Sequence, residues 1–110
     1  MSSINRELLK GSIELVLLAL LEREPMYGYQ IEKQVKLESG GVLQLKEGSL
    51  YPALHRLEQA GLIEGSWQVR EDGASRRYYQ LTSAGKEAAH ERRAEWQRFT
   101  SAVEGVLRHA

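Results

Sequence analysis

Residues 47–62 read EGSLYPALHRLEQAGL. Leu50, Ala53, Leu54 and Leu57 recur at three- and four-residue steps, so a helix through this stretch turns one apolar face inward. Pro52, His55, Arg56 and Gln59 fall on the opposite face, flanked by Ser49 and Tyr51. Gly61 ends the helix, because a glycine accepts the left-handed conformation beyond the last turn while Leu62 folds back. Pro52 is comfortable only in a first turn, which predicts that the regular helix begins near residues 49–51 or kinks there.

Downstream the hydrophobic period changes from helical to alternating. Ile63, Trp67 and Val69 share one side of one segment and Tyr79 and Leu81 one side of the next, with Glu71-Asp72-Gly73-Ala74-Ser75 between them. This is a hairpin, and Arg70, Arg76 and Arg77 stand at its tip end, where side chains reach outward to a phosphate backbone or a minor groove. A short amphipathic helix followed by an arginine-bearing hairpin reads as the recognition helix and wing of a winged helix-turn-helix. Thr82 or Ser83 caps a last helix reaching to about His109. In it Trp96, Phe99, Val103 and Val106 step by three and four, and Ala89 continues the seam one heptad back. So exposed an apolar stripe on a small domain predicts a second copy of the chain as its cover.

Upstream, Asn5 caps a short helical start with Leu8 and Leu9, which Gly11 and Ser12 break before the main helix. Residues 13–21 are apolar on nearly all sides, as expected of a helix buried by two sets of neighbours, one of them another subunit. Pro25 closes it. Tyr27, Ile31 and Val35 stripe a second helix that Ser39, Gly40 and Gly41 terminate, and residues 42–45 read as a minor strand.

The composition narrows the field. A chain of 110 residues holds one core; its balance of 15 basic and 15 acidic residues weighs against a protein that coats nucleic acid nonspecifically, although a local basic patch is compatible with it. There is no cysteine, hence no disulfide, thiolate metal site or cysteine nucleophile. His55, His90 and His109 lie apart without metal-ligand spacing, and Gly40-Gly41 is not a phosphate loop. The expectation is therefore a non-enzyme without metal or cofactor. The apolar run 13–21 is far short of the roughly 20 residues of a membrane span, and no signal-peptide pattern is present, which predicts a cytoplasmic protein with no membrane partner.

The order and spacing of several stretches resemble the PadR-like transcriptional regulators in their short form with a single C-terminal helix. They are Tyr27-Gly28-Tyr29-Gln30-Ile31, Glu47-Gly48-Ser49-Leu50-Tyr51-Pro52-Ala53-Leu54 with Leu57, Glu58 and Gly61-Leu62-Ile63, and Arg77-Tyr78-Tyr79-Gln80-Leu81-Thr82 with Gly85. Together they cover most of residues 14–85. The resemblance implies an α+β, mostly helical fold: a winged helix-turn-helix DNA-binding domain over residues 1–82, joined in one compact unit to a dimerisation helix over 83–110. It implies a homodimeric repressor on double-stranded DNA carrying an inverted-repeat operator, with Tyr29, Ser49 and Tyr51 at DNA-contacting positions; His55 and Arg56 join them from the helical wheel alone. Certain short members bind flat aromatic molecules at the dimer interface, between a tryptophan of the last helix and side chains of the first. That implies a small aromatic or hydrophobic effector here, with Trp96, Phe99 and Leu17 as candidate contacts. The wing tip, with Glu71 and Asp72, is more acidic than the family's Gly-Arg type.

Each feature has a plainer reading. Arg56 either reads a guanine or grips a phosphate, and Arg76 and Arg77 either grip phosphates or discourage edge pairing. Trp96 and Phe99 are more often interface packing than a ligand box. The alternative to the whole is a winged helix used as a protein–protein adaptor without sequence-specific DNA binding.

Overall fold

The computed structural model describes the backbone of residues 6–109 and the side chains of residues 11–109. Its elements run α1 (Arg6–Leu21), β1 (Met26–Tyr27), α2 (Gly28–Glu38), α3 (Glu47–Gln59), β2 (Ile63–Val69), β3 (Ser75–Leu81) and α4 (Ser83–Arg108). The strands form one antiparallel sheet in the order β1-β3-β2. This is the winged helix-turn-helix expected from the sequence, α2 and α3 being the helix pair and β2–β3 the wing.

The core is the meeting of three apolar faces. Ile13, Leu17, Leu18, Leu20 and Leu21 of α1, Ile31 and Val35 of α2, and Leu50, Ala53, Leu54 and Leu57 of α3 are buried together, closed by Met26, Leu45, Ile63, Tyr79 and Ala89. Burying each large apolar side chain contributes roughly 1.5–3 kcal/mol relative to leaving it exposed. Every α3 leucine singled out from the sequence is in this cluster.

Three local expectations are corrected. Helix α1 runs through Gly11 and Ser12 without a break, since a mid-helix glycine costs only about 1 kcal/mol and the buried leucines beyond it outweigh that; the Asn5 cap lies outside the described residues, as do the side chains of Leu8 and Leu9. Residues 42–45 are not a strand. The Ser39 hydroxyl accepts from the Leu43 N–H at 2.9 Å and donates to the Leu43 carbonyl at 3.3 Å, satisfying that backbone without a neighbouring strand. The minor strand is instead Met26–Tyr27, paired with Tyr79 and Tyr78. Finally, α3 starts at Glu47 and runs through Pro52; the missing proline N–H would have met the carbonyl of Gly48, an exposed residue in the first turn of the helix.

The end of α3 behaves as its sequence predicts. Gly61 has φ +76, its N–H donates to the Glu58 carbonyl, and the Leu62 N–H donates to the Leu57 carbonyl, both at 3.0 Å. The corner is then tied to the start of α4. The Thr82 hydroxyl donates to the Gly61 carbonyl at 2.7 Å and accepts from the Gly85 N–H at 3.0 Å, while the Thr82 N–H donates to the Leu62 carbonyl at 3.1 Å. Gly85 approaches the same carbonyl so closely that a Cβ there would overlap it.

Helix α4 is 26 residues long, about 39 Å at 1.5 Å per residue. Its first half lies on α1: Ala89 is buried, Arg93 pairs with Glu22 at 2.7 Å and Arg92 with Glu14 at 3.9 Å. Ala89 therefore belongs to this chain's own core rather than to the exposed seam. The second half leaves Trp96, Phe99, Val103, Val106 and Leu107 40–71% exposed. No helix among the described residues is long and apolar enough to cross a membrane.

Candidate nucleic-acid interface

Helix α3 divides its polar surface into two edges and a crest. Ser49 and Arg56, seven residues apart, lie along one edge, and Tyr51 and Glu58 along the other, with Pro52, His55 and Gln59 between them. Pro52, His55, Arg56 and Gln59 are all exposed, and Ser49 is half-buried. The helical wheel thus identified the outward face.

The Tyr51–Glu58 edge faces the sheet and the start of α2. The Tyr51 ring, 45% exposed, rests against Gly28, where a Cβ would overlap its hydroxyl. The next residue, Tyr29, projects from the first turn of α2 and is 58% exposed, with the Lys33 Nζ 5.7 Å from its ring centre. The fold therefore brings Tyr29 and Tyr51, 22 positions apart in sequence, to adjoining positions on one surface.

The wing arginines have three different situations. Arg70 is exposed at the tip, where its N–H donates to the Ala74 carbonyl at 2.8 Å and its carbonyl accepts from Gly73 at 2.9 Å. Gly73 has φ +86, and Asp72 Oδ1 accepts from the Ala74 N–H at 2.9 Å, an arrangement suited to a three-residue hairpin loop. Arg76 lies on the outer face of the sheet, its guanidinium 4.2 Å above the Tyr27 ring, which meets Tyr78 edge-on at 5.3 Å. These tyrosines and Tyr29, Gln30 and Lys33 border an open cleft of about 460 Å³.

Arg77, on the inner face, turns away from the tip. Its Nη2 donates to Glu58 Oε2 at 2.6 Å. The same carboxylate oxygen accepts from the Gly65 N–H at 3.3 Å, and the guanidinium stands 5.8 Å from the centres of Trp67 and Tyr79. The hydrogen bond to Glu58 holds the Arg77 pKa above the ordinary arginine value, with desolvation opposing it. Burial pushes the Tyr79 phenol upward; the Arg77 charge pulls it back and the Glu58 charge adds to the rise. The sequence reading missed the Glu58–Arg77 pair because 19 residues separate its members, and opposite charges at that distance carry no periodic signal.

The candidate effector residues separate. Trp96 and Phe99 form an exposed, tilted pair with ring centres 6.2 Å apart on the α4 seam. Leu17, expected to join them, is fully buried in the core; it sits on the α1 face that packs inward, so it presents no surface to a ligand. Of its neighbours on α1, Leu15, Val16 and Ala19 retain partial exposure. Val69 and Trp67 did not follow Ile63 into the core either: they are 76% and 67% exposed, because the wing runs out past the helices.

A helix pair presenting a polar helix face beside an arginine-bearing hairpin defines a winged-helix protein of the transcription-regulator class. The family model described as the transcriptional regulator PadR-like family matches residues 17–91, and the chain belongs to that family. Two solved structures illustrate the likeness. A transcriptional regulator from Clostridium thermocellum superposes with a TM-score of 0.84 at 27% identity, over 93% of this chain and 96% of the other. A PadR-like transcriptional regulator from Bacillus cereus gives 0.80 at 31% identity, over 92% and 96%. The negative transcriptional regulator PadR of Bacillus subtilis is 28% identical over 72% of this chain, a match spanning only 43% of that protein's length. The family is one of transcriptional regulators, not of enzymes.

Proposed function

We propose that this chain is a homodimeric, sequence-specific DNA-binding regulator that acts as a repressor on an inverted-repeat operator. The observation that carries the reading is the exposed polar face of α3, with His55 between the Arg56 edge and the Tyr51 edge, next to a wing that holds Arg70 at its tip and Arg76 on its flank. A face of this kind enters a major groove, while the wing cations and Tyr29 meet the flanking backbone. Repression is supported by the name of the Bacillus subtilis relative. The exposed seam on α4 supports a dimer, since a second copy would cover its Trp and Phe. The paired Trp96 and Phe99 rings also supply flat apolar walls for an aromatic effector at that interface.

Selection of bound molecules from a pool of random duplexes at near-physiological salt tests the reading. Enrichment of an inverted repeat with half-sites about one helical turn apart supports it; absence of binding even at low salt refutes it. A second reading, a partner-binding adaptor, is favoured by one feature, the exposed Trp67 and Val69 on the wing, and becomes the stronger one if DNA binding is absent.

A further inference from the structure

We infer that Arg77 and Glu58 are positioning residues that lock the wing onto the recognition helix, so that α3 and the hairpin meet DNA as one rigid unit and Arg77 itself touches no phosphate. The inference rests on the DNA-binding reading above and goes beyond it by separating the wing arginines into contacts and a brace.

Four observations converge on it. Arg77 Nη2 and Glu58 Oε2 are 2.6 Å apart, so the cation is directed at α3 and not outward. The Glu58 oxygen also accepts from the Gly65 N–H and so engages both strands of the wing. Gly65 leaves open the slot the guanidinium occupies: a Cβ there would fall 2.6 Å from Arg77 Nε. The guanidinium is flanked by the rings of Tyr79 and Trp67 and is only about a third exposed, its side chain at 32% and that of Glu58 at 29%. A cation whose charge is met by a carboxylate at this distance releases few counterions on binding DNA. Arg70, on the tip, has no such partner among the described hydrogen bonds and ion pairs of its side chain.

The brace matters because the wing is two-stranded beyond Tyr78, the last residue that β1 pairs, and Arg77 stands at that point, where the sheet no longer holds the hairpin's angle by itself. Trp67 and Val69, which continue the core-facing side of β2, are exposed. Beyond the Ile63–Leu81 pairing, the two bonds that Glu58 accepts, from Arg77 and from the Gly65 N–H, are the charge-assisted links between wing and helix among the described residues.

The test compares the full-length chain with Glu58→Ala, Arg77→Ala and the exchange variant Glu58→Arg/Arg77→Glu. Two quantities are read: amide hydrogen exchange of the wing in the protein alone, and affinity for the duplex most enriched in the selection, measured across a salt series. In each single variant wing exchange should rise and affinity fall by about three- to fivefold; the exchange variant restores the ion pair but not the acceptor for the Gly65 N–H, so it should recover both in part, to within about twofold of wild type. The slope of log affinity against log salt should not change. Unchanged wing exchange in Glu58→Ala overturns the inference, as does an exchange variant that recovers nothing over the single variants. A fall in slope of roughly two for the dimer in Arg77→Ala would make Arg77 a phosphate contact and also overturn it. If the wild type binds no duplex at any salt, the regulator reading fails on its own, and the exchange measurement still decides whether Glu58 holds the wing.

Discussion

The Tyr51 ring lies on Gly28, at the point where α3 passes the first residue of α2, and the space it fills is the space a side chain at position 28 would need. The geometry of the interface therefore depends on a missing Cβ. Gly28 has no positive φ, so alanine there is conformationally acceptable and its cost is one of contact alone. Gly28→Ala should displace Tyr51 and weaken duplex binding roughly tenfold, while Gly28→Ala in a Tyr51→Ala background should be close to neutral for folding. A double-mutant cycle by thermal melting would read the coupling, of order 1–3 kcal/mol.

Gly85 gives a harsher case. The atom its Cβ would strike is the Leu62 backbone carbonyl, which is itself engaged by the Thr82 N–H and has no rotamer to escape into. Gly85→Ala should cost about 3 kcal/mol or more, visible as a large drop in the midpoint of urea unfolding. An unchanged midpoint would mean that α4 can pivot at its first turn.

Thr82 both caps α4 and reaches back to Gly61. Thr82→Ala should lose about 1–2 kcal/mol, and Thr82→Ser should keep most of it, because the hydroxyl carries both bonds. Chemical denaturation of the two variants distinguishes this from a loss of the methyl group.

A pH dependence follows from Tyr79. Its folded pKa is raised above the ordinary tyrosine value, chiefly by burial, so the folded state holds its proton where the unfolded state has lost it. The contribution to stability is constant below about pH 10 and falls as pH rises above it through the folded value. Tyr79→Phe should flatten that alkaline fall, which unfolding curves between pH 8 and 11 would show.

Arg70, exposed at the wing tip, has no ion-pair partner among the described residues. Arg70→Ala should weaken binding to all duplexes alike and reduce the salt slope by roughly two, one for each protomer of a dimer. Arg56→Ala discriminates the readings left open for that residue. A loss of roughly 1–3 kcal/mol confined to one base position marks a base contact, and a uniform loss marks a phosphate.

The parts of this fold that were legible in the sequence are those encoded by local periodicity. The leucines of α3, the Gly61 turn and the hairpin announce themselves within a window of a few residues and stand where their patterns placed them, and of the two caps offered for α4, Thr82 and Ser83, Thr82 is the one used. What was not legible depended on distant or very short features. Two residues, Met26 and Tyr27, make a strand too brief to alternate, and the Ser39 hydroxyl takes over a backbone that looked ready to pair. On the candidate interface, the wheel found the outward side of α3 but could not see that Arg77 would turn back to Glu58, or that Leu17 would face inward. Both depend on which neighbours the completed fold supplies.

The corner at Gly61 and Thr82 joins the far end of α3 to the near end of α4 through two hydrogen bonds and one close backbone approach. A joint this stiff converts rotation into translation. In a dimer assembled along α4, a small change in the angle at which the two long helices cross would be carried through the corner and appear as a change in the separation of the two α3 helices. Operator spacing would then be tuned by the packing around Trp96 and Phe99, with no alteration to any group that faces the bases.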